Sequence, residues 1–150
     1  MKAEANMHDS HDSGLDPIRG KRILLVDDDV DMLELVAGQL RAAGADVTAA
    51  CGEREGEDAL LTIRPDLVIL DLMMERKDSG FVLCHRTKQL HPGTPVILLT
   101  AVAAATGLAF QPRNVAARSW IGADLLLDKP VPPERLRQEV KRLLTAVPAR

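Results

Sequence analysis

The sequence is short of several things, and each shortage removes a class of protein. Its two cysteines, Cys51 and Cys84, form neither a Cys-x-x-Cys pair nor a disulfide framework. A disulfide-stapled secreted scaffold is therefore excluded, and a reduced cytoplasmic protein is expected, with both thiols acting as small buried apolar groups. No apolar run approaches the ~20 residues that a membrane helix needs. The opening residues, MKAEANMHDS, lack the apolar stretch of a secretory signal. Basic excess is absent too: 19 Lys and Arg stand against 22 Asp and Glu, a formal charge of -3, the reverse of what a nucleic-acid binder carries. Neither a membrane nor a nucleic acid is an expected partner.

What is present suits one folded domain. The chain has 150 residues, 46% of them apolar, and a domain of this size can bury roughly 70% of its unfolded surface. Residues 1–20 are polar and without apolar periodicity, so a solvated, disordered leader is expected there. Its doublet, His8-Asp9-Ser10 and His11-Asp12-Ser13, has too few histidines to argue for a metal site.

From Lys21 the pattern changes. Ile23-Leu24-Leu25-Val26 reads as a strand buried on both faces. Leu33, Val36, Ala37 and Leu40 make one helical stripe ending near Gly44. A weaker strand follows over 45–50, then a helix over 53–63 through Ala59, Leu60 and Ile63, stopped by Pro65. Leu67-Val68-Ile69-Leu70 and Val96-Ile97-Leu98-Leu99 are strongly apolar strands, separated by a polar loop, a helix over about 81–90 and a Pro92-Gly93 turn. Residues 101–123 read as partly helical, interrupted by Pro112. Leu125-Leu126-Leu127 is a short strand. Pro132-Pro133 open a final helix whose stripe is Leu136, Val140, Leu143, Leu144 and Val147. Five β-α units imply an α/β fold: a doubly wound, five-stranded parallel sheet in the flavodoxin-like order 2-1-3-4-5, with helices on both faces.

Ligands bind such sheets beyond the carboxyl ends of the strands. The first strand runs into Asp27-Asp28-Asp29, the third into Asp71, the fourth into Thr100 and the fifth into Asp128-Lys129-Pro130. The second ends in Ala49-Ala50-Cys51 and offers no obvious ligand. Crowded carboxylates need a proton or a cation, and oxygen-only ligands on a rigid sheet suit Mg²⁺. With a hydroxyl at Thr100 and an ammonium at Lys129, the set looks built for a phosphoryl group. Singly, each residue has a plainer role. An aspartate run often caps the next helix, with Asp31 well placed for it; a lysine is usually a surface charge, and threonine simply favours strands. Their convergence on one sheet edge is what carries the inference.

The segments ILLVDDD (23–29), DLVILDLMM (66–74), VILLTA (96–101) and LDKPV (127–131), in this order and spacing, resemble the receiver domain of bacterial response regulators in two-component signalling. The resemblance spans about residues 21–147. It implies that Asp71 is the phosphoacceptor for a sensor histidine kinase or a histidine phosphotransfer protein. Asp27 and Asp28 would be the acidic pair holding Mg²⁺, with Asp71 itself and the carbonyl of Met73 as further ligands; Asp29 is given no ligand role. Thr100 is implied as the switch hydroxyl, Lys129 as its phosphoryl-pairing partner, and the Lys129–Pro130 bond as cis. The protein would be a regulatory phosphoacceptor rather than an enzyme, assisting only its own phosphorylation and dephosphorylation. It would switch the surface formed by the fourth helix, within the partly helical stretch 101–123, the fifth strand at 125–127 and the final helix for an unknown downstream partner, with a homodimer through that face left open. Because only a few residues follow the last helix, a single-domain receiver is expected.

Three departures stand out. Leu126 occupies the place of the family's usual aromatic residue. Glu75 stands where many receivers have proline, in a loop that looks one residue longer. The span from Thr100 to Lys129 is extended around residues 106–121, which hold Phe110 and Trp120. Two other functions compete. A related Mg²⁺-dependent phosphohydrolase would want an aspartate two positions after the nucleophile, where Met73 stands. A degenerate receiver would act as a constitutive interaction module. A dinucleotide-binding domain is disfavoured because acids replace the glycine-rich turn after the first strand.

Overall fold

A computed structural model describes residues 16–76, 78–101 and 122–146. Nine elements follow one another: β1 (Arg22–Asp27), α1 (Val30–Ala42), β2 (Asp46–Cys51), α2 (Glu53–Thr62), β3 (Leu67–Asp71), α3 (Ser79–Leu90), β4 (Val96–Thr100), β5 (Leu125–Asp128) and α4 (Pro133–Ala146). The strands form one parallel sheet in the order β2-β1-β3-β4-β5, as the alternation of elements predicts.

The unbroken apolar runs are explained by burial on both faces. Alternate residues of β1 serve different cores: Ile23 and Leu25 pack with Leu33, Val36 and Leu40 of α1 and Leu136 and Val140 of α4. Leu24 and Val26 pack on the other side with Leu60 of α2 and Leu83 and Cys84 of α3. Every residue of β3 and of β4 is buried, which fixes the two inner strands that carry Asp71 and Thr100.

Four expectations are corrected. The folded part begins before residue 20: residues 16–20 form a turn, and Ile18 is completely buried in the core beside α1, because one isoleucine gains more by joining that core than a polar leader pattern suggests. The cap of α1 is Asp29 rather than Asp31. Its carboxylate accepts from the N–H groups of Asp31 and Met32 at 3.0 and 3.3 Å, since the helix starts at Val30 and Asp31 already lies in its first turn. Helix α3 starts at Ser79, earlier than the apolar pattern predicts. Cys51 is only half-buried: it ends an edge strand, and its thiol lies 3.8 Å from the carbonyl of Asp28. Cys84 is buried as expected, which pushes its thiol up to about 12. The expected partly helical stretch, 101–123, lies outside the described residues apart from Ala101, Gly122 and Ala123, as do Val147 and the histidine doublet. Among the described residues, no helix is long and apolar enough to cross a membrane.

Candidate functional site

Parallel pairing brings strand ends that are distant in sequence to one edge. In register, Val26 of β1 pairs with Leu70 of β3, so the next residues, Asp27 and Asp71, leave the sheet side by side. Asp71 pairs with Leu99 of β4, which puts Thr100 one step beyond it, and Thr100 pairs with Asp128 of β5.

Carboxylate oxygens of Asp27, Asp28 and Asp71 lie within 4.8 Å of one another. Asp27 and Asp71 are buried, whereas Asp28 is exposed. The Lys129 ammonium sits between the two buried acids, 3.3 Å from Asp27 Oδ2 and 3.2 Å from Asp71 Oδ1. The other oxygen of Asp27 accepts from the Asp29 N–H at 2.9 Å. The Lys129 N–H donates to the Thr100 carbonyl at 2.8 Å, and the Lys129–Pro130 bond is cis. Thr100 is buried. Met73 lies two residues past Asp71 with 42% of its surface exposed.

The electrostatics follow from this crowding. Burial, and then the neighbouring Asp27 charge, push the Asp71 carboxyl up to about 6, against the opposing pull of Lys129. Burial alone would lower the Lys129 ammonium, but Asp71 and Asp27 outweigh it and hold it above its ordinary value. The site thus holds more negative charge than one lysine satisfies. An octahedral Mg²⁺ with oxygens at about 2.1 Å spaces its ligands by roughly 3–4 Å, and the three carboxylates are gathered closely enough to share such a shell. The donor set fits a hard divalent cation.

Sequence reasoning misses the contacts that tie the site together. Beyond pairing with a phosphoryl group, Lys129 bridges Asp27 to Asp71. The second strand, which carries no obvious ligand, ends where Glu75 comes to rest: Glu75 Oε1 accepts from the Glu53 N–H at 3.0 Å. In the sequence Glu75 stands out only as a replacement for proline. Its partner is a backbone group, which has no signature in sequence. Leu126 is half-buried and packs on the core beside α2 and α3.

A doubly wound sheet with a buried aspartate, an acidic pocket suited to a divalent cation and a lysine at one edge defines an α/β domain whose ligand site lies beyond the carboxyl ends of its strands. Residues 23–141 match the family model of the response regulator receiver domain, and the chain belongs to that family, the receiver module of two-component regulatory systems. It is 34% identical over 125 residues to the DNA-binding dual master transcriptional regulator RpaA of Synechocystis, covering 82% of this chain and 48% of RpaA. The chain spans about half the length of the curated relatives it matches. Among solved structures, the CheY-like receiver domain protein of Methanospirillum hungatei superposes with a TM-score of 0.72 at 28% identity, covering 84% of this chain and 94% of that one. The receiver domain of a signal transduction histidine kinase from Syntrophus aciditrophicus gives a TM-score of 0.70 at 32% identity, with coverages of 87% and 95%.

Proposed function

We propose that this chain is a phosphorylation-dependent signalling module in which Asp71 accepts a phosphoryl group from the phosphohistidine of a sensor kinase or a histidine phosphotransfer protein. The observation that carries the reading is the gathering of Asp27, Asp28 and Asp71 oxygens within 4.8 Å, with Lys129 against two of them. In the transfer, an Asp71 oxygen forms the new P–O bond as the P–N bond to the donor imidazole breaks. Asp27, Asp28 and the backbone carbonyl of Met73 would hold Mg²⁺, which when bound supplies positive charge to the moving phosphoryl oxygens.

Lys129 neutralises charge on the same group, and the Thr100 hydroxyl donates to one of its oxygens. Phosphorylation adds charge and acceptor oxygens at Asp71. Thr100 and Lys129 follow the new acceptor, and the β5–α4 face changes its packing for a downstream protein. A partner that prefers the phosphorylated packing stabilises it in return. The receiver unit is taken to run from the turn at residues 16–20 to the end of α4, in a cytoplasmic protein that assists only its own phosphorylation and dephosphorylation.

Incubation with acetyl phosphate should label the protein only when Mg²⁺ is present, and Asp71→Asn should abolish labelling while leaving the circular dichroism spectrum unchanged. Label retained in the Asn variant would remove Asp71 from the role. Efficient labelling with no change in partner affinity would mark a constitutive interaction surface instead, the reading that Leu126 at the usual aromatic place keeps open.

A further inference from the structure

We propose that Glu75 is a positioning residue for the acidic pocket: its carboxylate, seated on the N-terminus of α2, fixes the chain leaving Asp71 and thereby sets the affinity for a divalent cation. The inference rests on the reading of Asp27, Asp28 and Asp71 as a Mg²⁺ site.

Helix α2 begins on Gly52, which has no side chain to cap it and sits at φ +94. The cap comes from another element, through the bond from the Glu53 N–H to Glu75 Oε1 at 3.0 Å. A Cβ at position 52 would collide with Glu75 Oε2, so the glycine makes room for this carboxylate. The exchange is reciprocal. The Glu53 carboxylate accepts from Arg76 Nη2 at 2.6 Å, Arg76 Nε at 3.2 Å and Ser79 Oγ at 2.8 Å. Ser79 Oγ in turn accepts from the Arg76 N–H at 3.1 Å.

This latch reaches both buried acids of the pocket. Only Leu72, Met73 and Met74 separate Glu75 from Asp71, so seating Glu75 restricts their path. On the other side, the Gly52 N–H donates to the Asp27 carbonyl at 3.2 Å. The seat that holds Glu75 is therefore bonded directly to the residue carrying the second buried carboxylate. The spacing of Asp27 and Asp71 is set across the sheet by β1–β3 pairing and, beyond the strand ends, by this closed path through Gly52, Glu53 and Glu75.

The test compares Glu75→Ala, which removes the cap, with Glu75→Gln, whose amide oxygen can still accept from the Glu53 N–H. Mg²⁺ binding is measured by calorimetry on the full chain, and labelling by acetyl phosphate at limiting and saturating Mg²⁺. Glu75→Ala should raise the Mg²⁺ dissociation constant about tenfold and slow labelling at limiting but not saturating Mg²⁺, while Glu75→Gln stays within about twofold of the parent. Unchanged affinity in Glu75→Ala overturns the proposal. So does an equal loss in both variants, which would assign the effect to charge rather than to the cap. A parent protein that binds Mg²⁺ in this pattern but takes up no phosphate would overturn the phosphoacceptor reading and leave the positioning role standing.

Discussion

At the scale of single residues, the most consequential group is Asp71, because its environment works against its charge. Its carboxyl moves from an ordinary 3.8 in the unfolded chain to about 6 in the fold. Between those values the folded state holds the extra proton, so stability falls as pH rises from about 4 to 6 and stays reduced above it. A neutral isostere should recover that loss. Asp71→Asn is expected to stabilise the metal-free protein at pH 7 by on the order of 2 kcal/mol, the gain vanishing below about pH 4. Urea unfolding in chelator across this range checks it; an Asn variant no more stable at pH 8 than at pH 4, relative to the parent, would refute the coupling between burial and charge. Asp71 is legible in the sequence because an apolar run that stops abruptly at an acid sets a charge on the edge of the sheet where ligands bind. The half-exposure of Cys51 is not, because the surroundings of an edge strand's last residue depend on what packs beside it, and hydrophobic pattern does not report that.

At the scale of elements, periodicity locates the buried stripes: Leu33, Val36, Ala37 and Leu40 are the buried residues of α1. Helix ends are less legible, because tertiary contacts set them. Helix α3 begins at Ser79 since Ser79 is buried against Glu53 and Gly80 passes directly over the end of β3. A Cβ on Gly80 would lie 2.5 Å from Leu72 Cα and 2.7 Å from the Asp71 carbonyl oxygen, and both neighbours are backbone. Gly38, on the exposed side of α1, has nothing within 4 Å of the same atom. The same substitution should therefore have opposite signs at the two places. Gly80→Ala is expected to cost about 1–3 kcal/mol through forced separation of α3 from β3. Gly38→Ala should add about 0.5–1 kcal/mol from helix propensity alone. Urea midpoints of the two variants decide this, and a shift of the same sign in both would contradict the packing described.

For the whole molecule, the sheet order is readable from the alternation of elements because right-handed crossovers leave few arrangements, and the converging strand ends follow from it. Lys129's bridge between two acids and Glu75's seat on α2 are not readable, since each depends on side-chain reach across the finished edge. That edge exists only in the folded chain, so a cation bound there must stabilise the fold as a whole. At ten times its dissociation constant, Mg²⁺ should raise the unfolding free energy by about 1.4 kcal/mol. The increment should shrink below about pH 6, where Asp71 takes up the proton that the cation must displace. Two adjacent aspartates separate this linkage from general charge effects. Asp28→Ala removes a pocket carboxylate and should abolish most of the Mg²⁺ increment. Asp29→Ala removes the cap of α1 and should lower stability by about 1 kcal/mol while leaving the increment intact. Thermal unfolding of both variants with and without Mg²⁺ makes the comparison, and an equal increment in the two would mean that the cation is held somewhere other than this edge.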